Sequence, residues 1–191
     1  MGRISRNEIY EKGKVGVTAG FLGGIMILLV FVAFDKFIKL DPWDLYTMIG
    51  IAVGLHGISA TIFGVLAHML TAMTIGAVFC ICSTLHPILH LNTVWKGILG
   101  GGVTGLEVYA IFFMPITLYI IVPDINSITS NANFGTNDEI RMLDVMKANL
   151  SLIMGGAIVL HVIYGAIIGI YSTMILTERH KDQKITSAQS D

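Results

Sequence analysis

Three ionisable side chains lie inside long apolar stretches of the sequence. Glu107 is near the middle of the stretch 97–121, while His68 and His161 lie within the stretches 59–84 and 153–176. A charged group is costly in a lipid bilayer, so such residues normally face protein or water, and they often mark proton or ion pathways. We therefore take these three residues as candidates for an intramembrane polar or transport site that handles a proton or a cation.

Two other interpretations of the same residues stay open. A polar contact between helices can fix their packing, including packing against a partner subunit. Histidine is also a common metal ligand, so a His-containing metal site is the other alternative. The histidines are displaced along their spans from the level of Glu107 by roughly 9 Å, at 1.5 Å per residue. A direct contact with Glu107 is therefore not expected without helix tilt or a bridging group.

A second group of possible ligands lies at the end of the second apolar stretch and in the segment that follows it. It contains Cys80, Cys82, His86 and His90. Thiolates and imidazoles suit copper or zinc, but this spacing matches no standard zinc pattern, and Pro87 interrupts a continuous helix. The group is a weak metal candidate. The alternative is the end of a span with buried thiols, and a disulfide framework is not implied.

The composition places these residues in a membrane protein. The chain has 191 residues, of which 54% are hydrophobic and 13% are charged. Soluble domains carry about 25% charged residues, so the lipid bilayer is the expected surrounding. With a net charge of −1 there is no basic patch for nucleic acid. No nucleophile elbow, P-loop or HExxH motif is present, so no enzyme activity is expected.

Four apolar segments predict an all-α integral membrane protein, a four-helix bundle of two similar hairpins. The segments are 16–38, 59–84, 97–121 and 153–176, and the first is expected to be a retained anchor. Residues 1–15 and 177–191 form polar cytoplasmic ends. The first hairpin covers 16–85 and the second 86–176. Whether 45–85 holds one span or two is left open, although the eight-to-four division of Lys and Arg between the two sides favours four spans, with both termini cytoplasmic in a cell membrane.

Two polar segments on the outer side predict helix starts. Asp41, followed by Pro42 and Asp44, resembles an N-cap with proline at the first helical position, and it opens the segment 41–58. Thr136 and Glu139 have the spacing of a capping box within the segment 123–152, which predicts an amphipathic helix at the membrane interface. Asp35, at the end of the first span, is expected to reach the interface or to be paired.

The two halves of the chain resemble each other. An offset of 82 aligns Gly20 with Gly102 and Gly23 with Gly105, and an offset of 93 aligns His68 with His161. Glu107 then has apolar Ile25 as its counterpart, which makes it the asymmetric addition to the repeat. A duplication of this kind predicts a pseudo-twofold axis along the membrane normal.

Glycines spaced four residues apart in the spans predict close helix packing. Together with the short polar segments, this favours a non-catalytic subunit of a larger membrane assembly or a homo-oligomer. The alternatives are the transporter or channel component and the metal-binding protein described above.

Overall fold

A computed structural model describes residues 6–83, 90–130 and 136–188, and these residues are helical apart from short connections. Four helical stretches are long and apolar enough to cross a membrane: Arg6–Phe37, Gly57–Cys82, Val94–Ile128 and Leu150–Glu178. The predicted all-helical membrane protein with four spans is therefore confirmed at this level.

The helices follow one another with few residues between them. In chain order they are α1 (Arg6–Phe37), α2 (Asp44–Ile51), α3 (Gly57–Cys82), α4 (Val94–Val108), α5 (Met114–Ile116), α6 (Val122–Ser130), α7 (Asn137–Ala148) and α8 (Leu150–Ala188). Two π-helical turns, π1 (Tyr109–Phe113) and π2 (Thr117–Ile121), separate α4, α5 and α6, so the third span is one helical stretch of changing pitch.

The apolar segment 45–85 contains a single span. The helix α2 has only eight residues, and positive φ angles of 81° and 57° occur at Gly54, in the connection, and at Gly57, the first residue of α3. Glycine reaches this left-handed region without the steric penalty of a side chain. Two glycines therefore turn the chain where the sequence has no polar loop.

The first predicted cap is wrong, and a distant carboxylate takes its place. The helix α2 begins at Asp44, and its N-cap is Trp43, whose φ is 83° and whose side chain makes no capping bond. The backbone N–H of Trp43 instead donates to Oδ2 of Asp35 over 2.9 Å. Asp41 donates its own N–H to the Asp44 carboxylate. Asp35 is completely buried, so the expectation that it reaches the interface is wrong, and among the described residues it forms no ion pair.

The second predicted cap is confirmed. The amide of Glu139 donates to the Thr136 hydroxyl, and the amide of Thr136 donates to the Glu139 carboxylate, which completes a capping box at the start of α7. One side of α7 is buried through Met142, Leu143 and Met146.

The third span widens around a proline. Pro115 has no amide hydrogen, and in a regular helix its ring would crowd the carbonyl four residues earlier. Just before it, in π1, the amide of Met114 bonds to the carbonyl of Tyr109, five residues back. A second bond of this kind joins Val122 to Thr117 in π2. The π-helical turns are thus centred on the position where an α-helical ladder would be interrupted.

The chain divides into two compact units. The first consists of Met1–Ile25, Met69–Leu106 and Val162–Asp191. Within it, α1 meets α3 and α4 meets α8 through backbone. A Cβ atom added at Gly16 or Gly20 would overlap the carbonyl oxygen of Gly76 or Ala72, respectively. The α4–α8 contacts are the same in kind: Gly97 lies against Gly169, and Gly101 lies against Gly165.

These contacts correct the alignment of the two halves. Gly16 and Gly20 contact α3 in the same way as Gly97 and Gly101 contact α8. The equivalent glycines of α1 and α4 are therefore 81 positions apart, not 82. The offset of 93 between α3 and α8 is retained. With this register, Met26 rather than Ile25 corresponds to Glu107. The sequence alignment was one residue out because apolar helices of similar composition match in several registers, whereas backbone contact requires glycine or alanine at fixed positions.

Polar contacts join α3 to α8 inside the first unit. The Tyr164 hydroxyl donates to the Ala72 carbonyl over 2.6 Å, and the Cys80 thiol donates to the Ser172 hydroxyl over 3.0 Å. Both pairs have the same sequence separation and advance together along the chain, so α3 and α8 run parallel here. The α1–α3 and α4–α8 contacts advance in opposite directions, so those helices are antiparallel.

The second unit consists of Met26–His68 and Glu107–His161. In it, α2 packs closely on α3, with Gly50 against Ala60 and Gly64 against the Tyr46 carbonyl. Its apolar core joins the connection after α1 to parts of α2, α3, α6, α7 and α8. The buried members are Ile38, Leu40, Met48, Ile51, Ala60, Ile125, Met142, Leu143, Met146 and Ile153.

Candidate functional site

Glu107 lies on an exposed face of the third span. Its neighbours Val103, Leu106 and Ile111 are also exposed. Within the described parts of the chain, the Glu107 carboxylate makes no hydrogen bond or ion pair. A carboxylate placed among lipid-facing apolar side chains is costly, because nothing among the described residues replaces the water that it loses.

His161 lies against two aromatic rings of the third span. Its ring centroid is 5.7 Å from that of Tyr109 and 5.2 Å from that of Phe113, and these two rings stack on each other within π1. Nδ1 of His161 is 2.7 Å from the Ala157 carbonyl. A carbonyl can only accept, so Nδ1 carries a proton, and in the neutral ring Nε2 holds the lone pair.

His68 contacts a different tyrosine. Its ring centroid is 5.2 Å from that of Tyr46, and the two ring planes meet at 67°. The two aligned histidines are thus alike in packing edge-on against a tyrosine. They differ in where the tyrosine comes from, since Tyr46 belongs to α2 and Tyr109 to the third span. The two tyrosines do not align in sequence, so this common feature is visible only in the structure.

The structure places the three sequence-predicted residues in different surroundings. Among the residues that the structure describes, no hydrogen bond or ion pair links Glu107 to His68 or to His161. Each histidine lies at a tyrosine, whereas Glu107 is exposed. The difference in level between Glu107 and the histidines, and their joint action in a transport site, both remain predictions.

Sequence reasoning missed the most deeply buried carboxylate. Asp35 has an exposure of 0%, and its Oδ1 has no hydrogen-bond partner among the described residues. The hydroxyl of Tyr46, a residue with 2% exposure, is also without a partner there. Burial, and then the neighbouring Asp35 carboxyl, raise the pKa of Tyr46 above its ordinary value, so the phenol is neutral. The only signal in the sequence was an acidic residue at the end of an apolar run.

The possible metal ligands are only partly covered by the structure. The Cys80 thiol is buried and donates to Ser172, Cys82 is half-buried, and His90 is exposed. His86 lies outside the described residues. In the described ranges, no group of three or more His, Cys, Asp or Glu side chains is placed to hold a metal ion. The copper or zinc site remains a prediction.

A polar junction lies where α3 and α7 begin. Oε1 of Glu139 is 3.3 Å from Nδ1 of His56 and accepts the Gly57 amide, while Oε2 accepts the Thr136 amide. Burial alone would raise the pKa of Glu139, but the bonds from Thr136, Gly57 and His56 outweigh it and lower the pKa. The carboxylate is therefore held ionised and ties the two helix starts together.

Comparisons with protein-family models, with curated proteins and with solved structures find no match to this chain. The site is therefore interpreted from its own geometry. Two features stand out chemically: an exposed carboxylate on an apolar span and a buried carboxylate beside a tyrosine.

Proposed function

We propose that this chain is a small non-catalytic subunit of a membrane assembly or a homo-oligomer, and that it associates through the face of the third span that carries Glu107. The observation that carries the proposal is the position of Glu107, which is exposed and has no partner among the described residues. Exposed apolar side chains alone would only indicate lipid. A carboxylate among them calls for a donor or a cation supplied by another chain.

The packing of the third span supports this proposal. Only 17% of its most apolar part is buried within the chain, the same share as for the second span, compared with 33% and 39% for the first and fourth spans. The glycine face of α4 is already used against α8 through Gly97 and Gly101. The face with Val103 and Glu107 is a separate surface, because each of these residues lies two positions, about 200° around the helix, after a glycine of the glycine face.

The arrangement in the membrane is part of the same proposal. We propose two similar hairpins related by a pseudo-twofold axis along the membrane normal, because α1 contacts α3 as α4 contacts α8 and because α3 and α8 run parallel. In this arrangement α2 and α7 are interfacial helices on the outer side. Both termini are cytoplasmic in a cell membrane, following the Lys and Arg count.

The test combines particle mass with position-specific cross-linking. A photo-reactive residue at Val103 should form cross-links to protein in native membranes, or to a second copy in purified nanodiscs. The same residue at Leu70, which lies on α3 and is 64% exposed compared with 57% for Val103, is the matched control and should react with lipid. Glu107→Leu should reduce the Val103 cross-links. A monomeric mass together with no protein cross-link at Val103 in either setting would overturn the proposal.

A transporter or channel component is the second candidate function. It is favoured by the tyrosine contact that each histidine makes and by the free lone pair of His161. The test is proton or cation flux in proteoliposomes, comparing the wild type with Glu107→Gln. Flux that is unchanged in the variant removes Glu107 from the mechanism, and the absence of flux in the wild type counts against the class.

The metal-binding candidate has a direct test of its own. Elemental analysis of the purified chain should find copper or zinc in stoichiometric amount if Cys80, Cys82, His86 and His90 act as ligands. A chain with no such metal would remove this candidate, without affecting the assembly proposal.

A further inference from the structure

Two buried oxygen atoms at the junction of α1 and α2 lack hydrogen-bond partners among the described residues. One is Oδ1 of Asp35 and the other is the hydroxyl of Tyr46, in residues with exposures of 0% and 2%. Buried polar groups are nearly always paired, because an unpaired one loses its hydration without compensation. Two such atoms in one region need an explanation beyond packing.

The two groups belong to the same local site. Phe31 lies one helical turn before Asp35 on α1, and its ring meets the Tyr46 ring edge-on at 6.1 Å. Residues four apart share a helix face, so Tyr46 lies against the side of α1 that carries Asp35. The electrostatic effect of the Asp35 carboxyl on the phenol agrees with this closeness.

Backbone amides at the start of α2 lie against the Asp35 carboxyl group. The other oxygen of Asp35, Oδ2, accepts the Trp43 amide, and the amides of Asp44 and Leu45 also lie near the carboxyl group. These amides favour the ionised carboxyl, whereas complete burial favours the protonated one. A carboxyl held between two such opposing effects can gain and lose a proton.

No cation of the protein is paired with Asp35 among the described residues, although Lys36 is the next residue and is exposed. The other titratable or charged groups around the site are Asp44 and Tyr46 on α2, His68 on α3 against Tyr46, and the Asp41–Arg141 pair that connects the turn to α7. Asp44 places a second negative charge near the Asp35 carboxyl group.

We propose that Asp35 and Tyr46 form a proton-binding site that this chain carries in addition to any assembly role. In the empty state the Asp35 carboxylate is ionised and the Tyr46 hydroxyl is its available donor. In the loaded state Oδ1 has taken one proton from a hydronium ion, which leaves as water, and the resulting O–H has the Tyr46 oxygen as its acceptor. Protonation removes one negative charge and weakens the hydrogen bond that the Trp43 amide donates to Oδ2.

The spectroscopic experiment detects the proton on Asp35 directly. Infrared difference spectra of the full chain in nanodiscs, recorded as the pH is lowered, should contain the carbonyl band of a protonated carboxylic acid that shifts in D₂O. The band should be lost in Asp35→Asn and kept in Glu107→Gln, the matched control for removing a carboxyl group elsewhere in the spans.

A second readout uses the tryptophan that contacts Asp35. In a Trp95→Phe background, Trp43 is the remaining tryptophan of the chain. Its emission should titrate with the same midpoint as the infrared band, and Tyr46→Phe should raise that midpoint by about one pH unit, because the ionised carboxylate loses its donor. Since Tyr46→Phe keeps the ring, it tests the site even if Asp35→Asn fails to fold.

Three results would overturn the proposal. One is the absence of any Asp35-dependent carboxylic band while the protein remains folded. Another is a band that responds neither to pH nor to D₂O. The third is a Trp43 signal that follows Na⁺ or K⁺ at constant pH without a carboxylic band, which would assign the site to a cation instead.

Discussion

The hydroxyl of Tyr164 donates to the backbone carbonyl of Ala72 over 2.6 Å and thereby joins α8 to α3. This carbonyl belongs to the residue that Gly20 of α1 approaches most closely, so three spans meet at one peptide group. The Tyr164 ring also lies close to Gly23, where a Cβ atom would be 2.8 Å from Cδ2 of the ring. One tyrosine therefore connects α8 with both helices of the first half.

Removal of this hydroxyl should destabilise the first unit. We expect Tyr164→Phe to lower the free energy of unfolding by about 1 kcal/mol, the typical net value of one hydrogen bond. The measurement is an SDS titration in mixed micelles followed by circular dichroism. Tyr119→Phe is the matched control, because Tyr119 is 79% exposed. Equal stability of the two variants would contradict a role for the bond.

A side chain at the α4–α8 contact should be poorly tolerated. Gly101→Ala places a methyl group against the Gly165 carbonyl, and we expect a loss of about 1–3 kcal/mol from overpacking. Gly100→Ala is the control one residue earlier, where a Cβ would make only ordinary contact with Phe79 at 3.9 Å. It should change stability by less than about 0.5 kcal/mol. A similar effect at both positions would indicate helix propensity rather than contact.

The Glu139 junction should make stability depend on acid pH. A carboxyl with a lowered pKa stabilises the fold above its unfolded-state value, 4.5 for the isolated group, and this contribution is lost as the pH falls through the lower, folded-state pKa. The wild type should therefore lose stability on acidification below about pH 4.5, as seen by thermal unfolding in detergent. Glu139→Gln should lose less over the same range. Asp138→Asn, at an exposed neighbouring position, should behave like the wild type.

The two cysteines should differ in reactivity although they are two residues apart. Cys80 is completely buried and donates to Ser172, whereas Cys82 is half-buried. In single-cysteine variants, Cys80 should react with a maleimide at least about tenfold more slowly, because its thiol is reached only after local opening. Ser172→Ala should accelerate the reaction of Cys80 but not of Cys82. Equal reaction rates of the two single-cysteine variants that retain Ser172 would contradict the described packing.

Sequence reasoning was reliable where a local pattern carries the information. The long apolar runs fix the four spans, and the Thr136–Glu139 spacing correctly predicts the cap of α7. The Asp41 cap failed because its local pattern competes with a long-range contact: Asp35 accepts the amide of Trp43, which adopts a left-handed conformation. A rule that considers only the residues around a helix start does not include a contact between residues eight positions apart.

The candidate site was less accessible to sequence reasoning than the fold. An ionisable residue in an apolar run marks Glu107, His68 and His161, but only coordinates show that one is exposed while the others lie against tyrosines. Which side of a span faces its neighbours depends on rotation about the helix axis. In a uniformly apolar helix the sequence hardly specifies that rotation, because both sides are apolar.

The π-helical turns of the third span have a consequence for insertions and deletions. A π turn holds one residue more than the hydrogen-bond ladder of an α-helix needs, so each turn rotates all later side chains by about 100°. Removal of one residue from Tyr109–Phe113 would return this turn to an α-helical ladder up to Pro115, whereas a deletion within α3 would shift its contacts with Gly16 and Gly20 out of register. This span is thus where the chain can change its length by a single residue and remain one continuous helix, with a different set of side chains presented beyond Pro115.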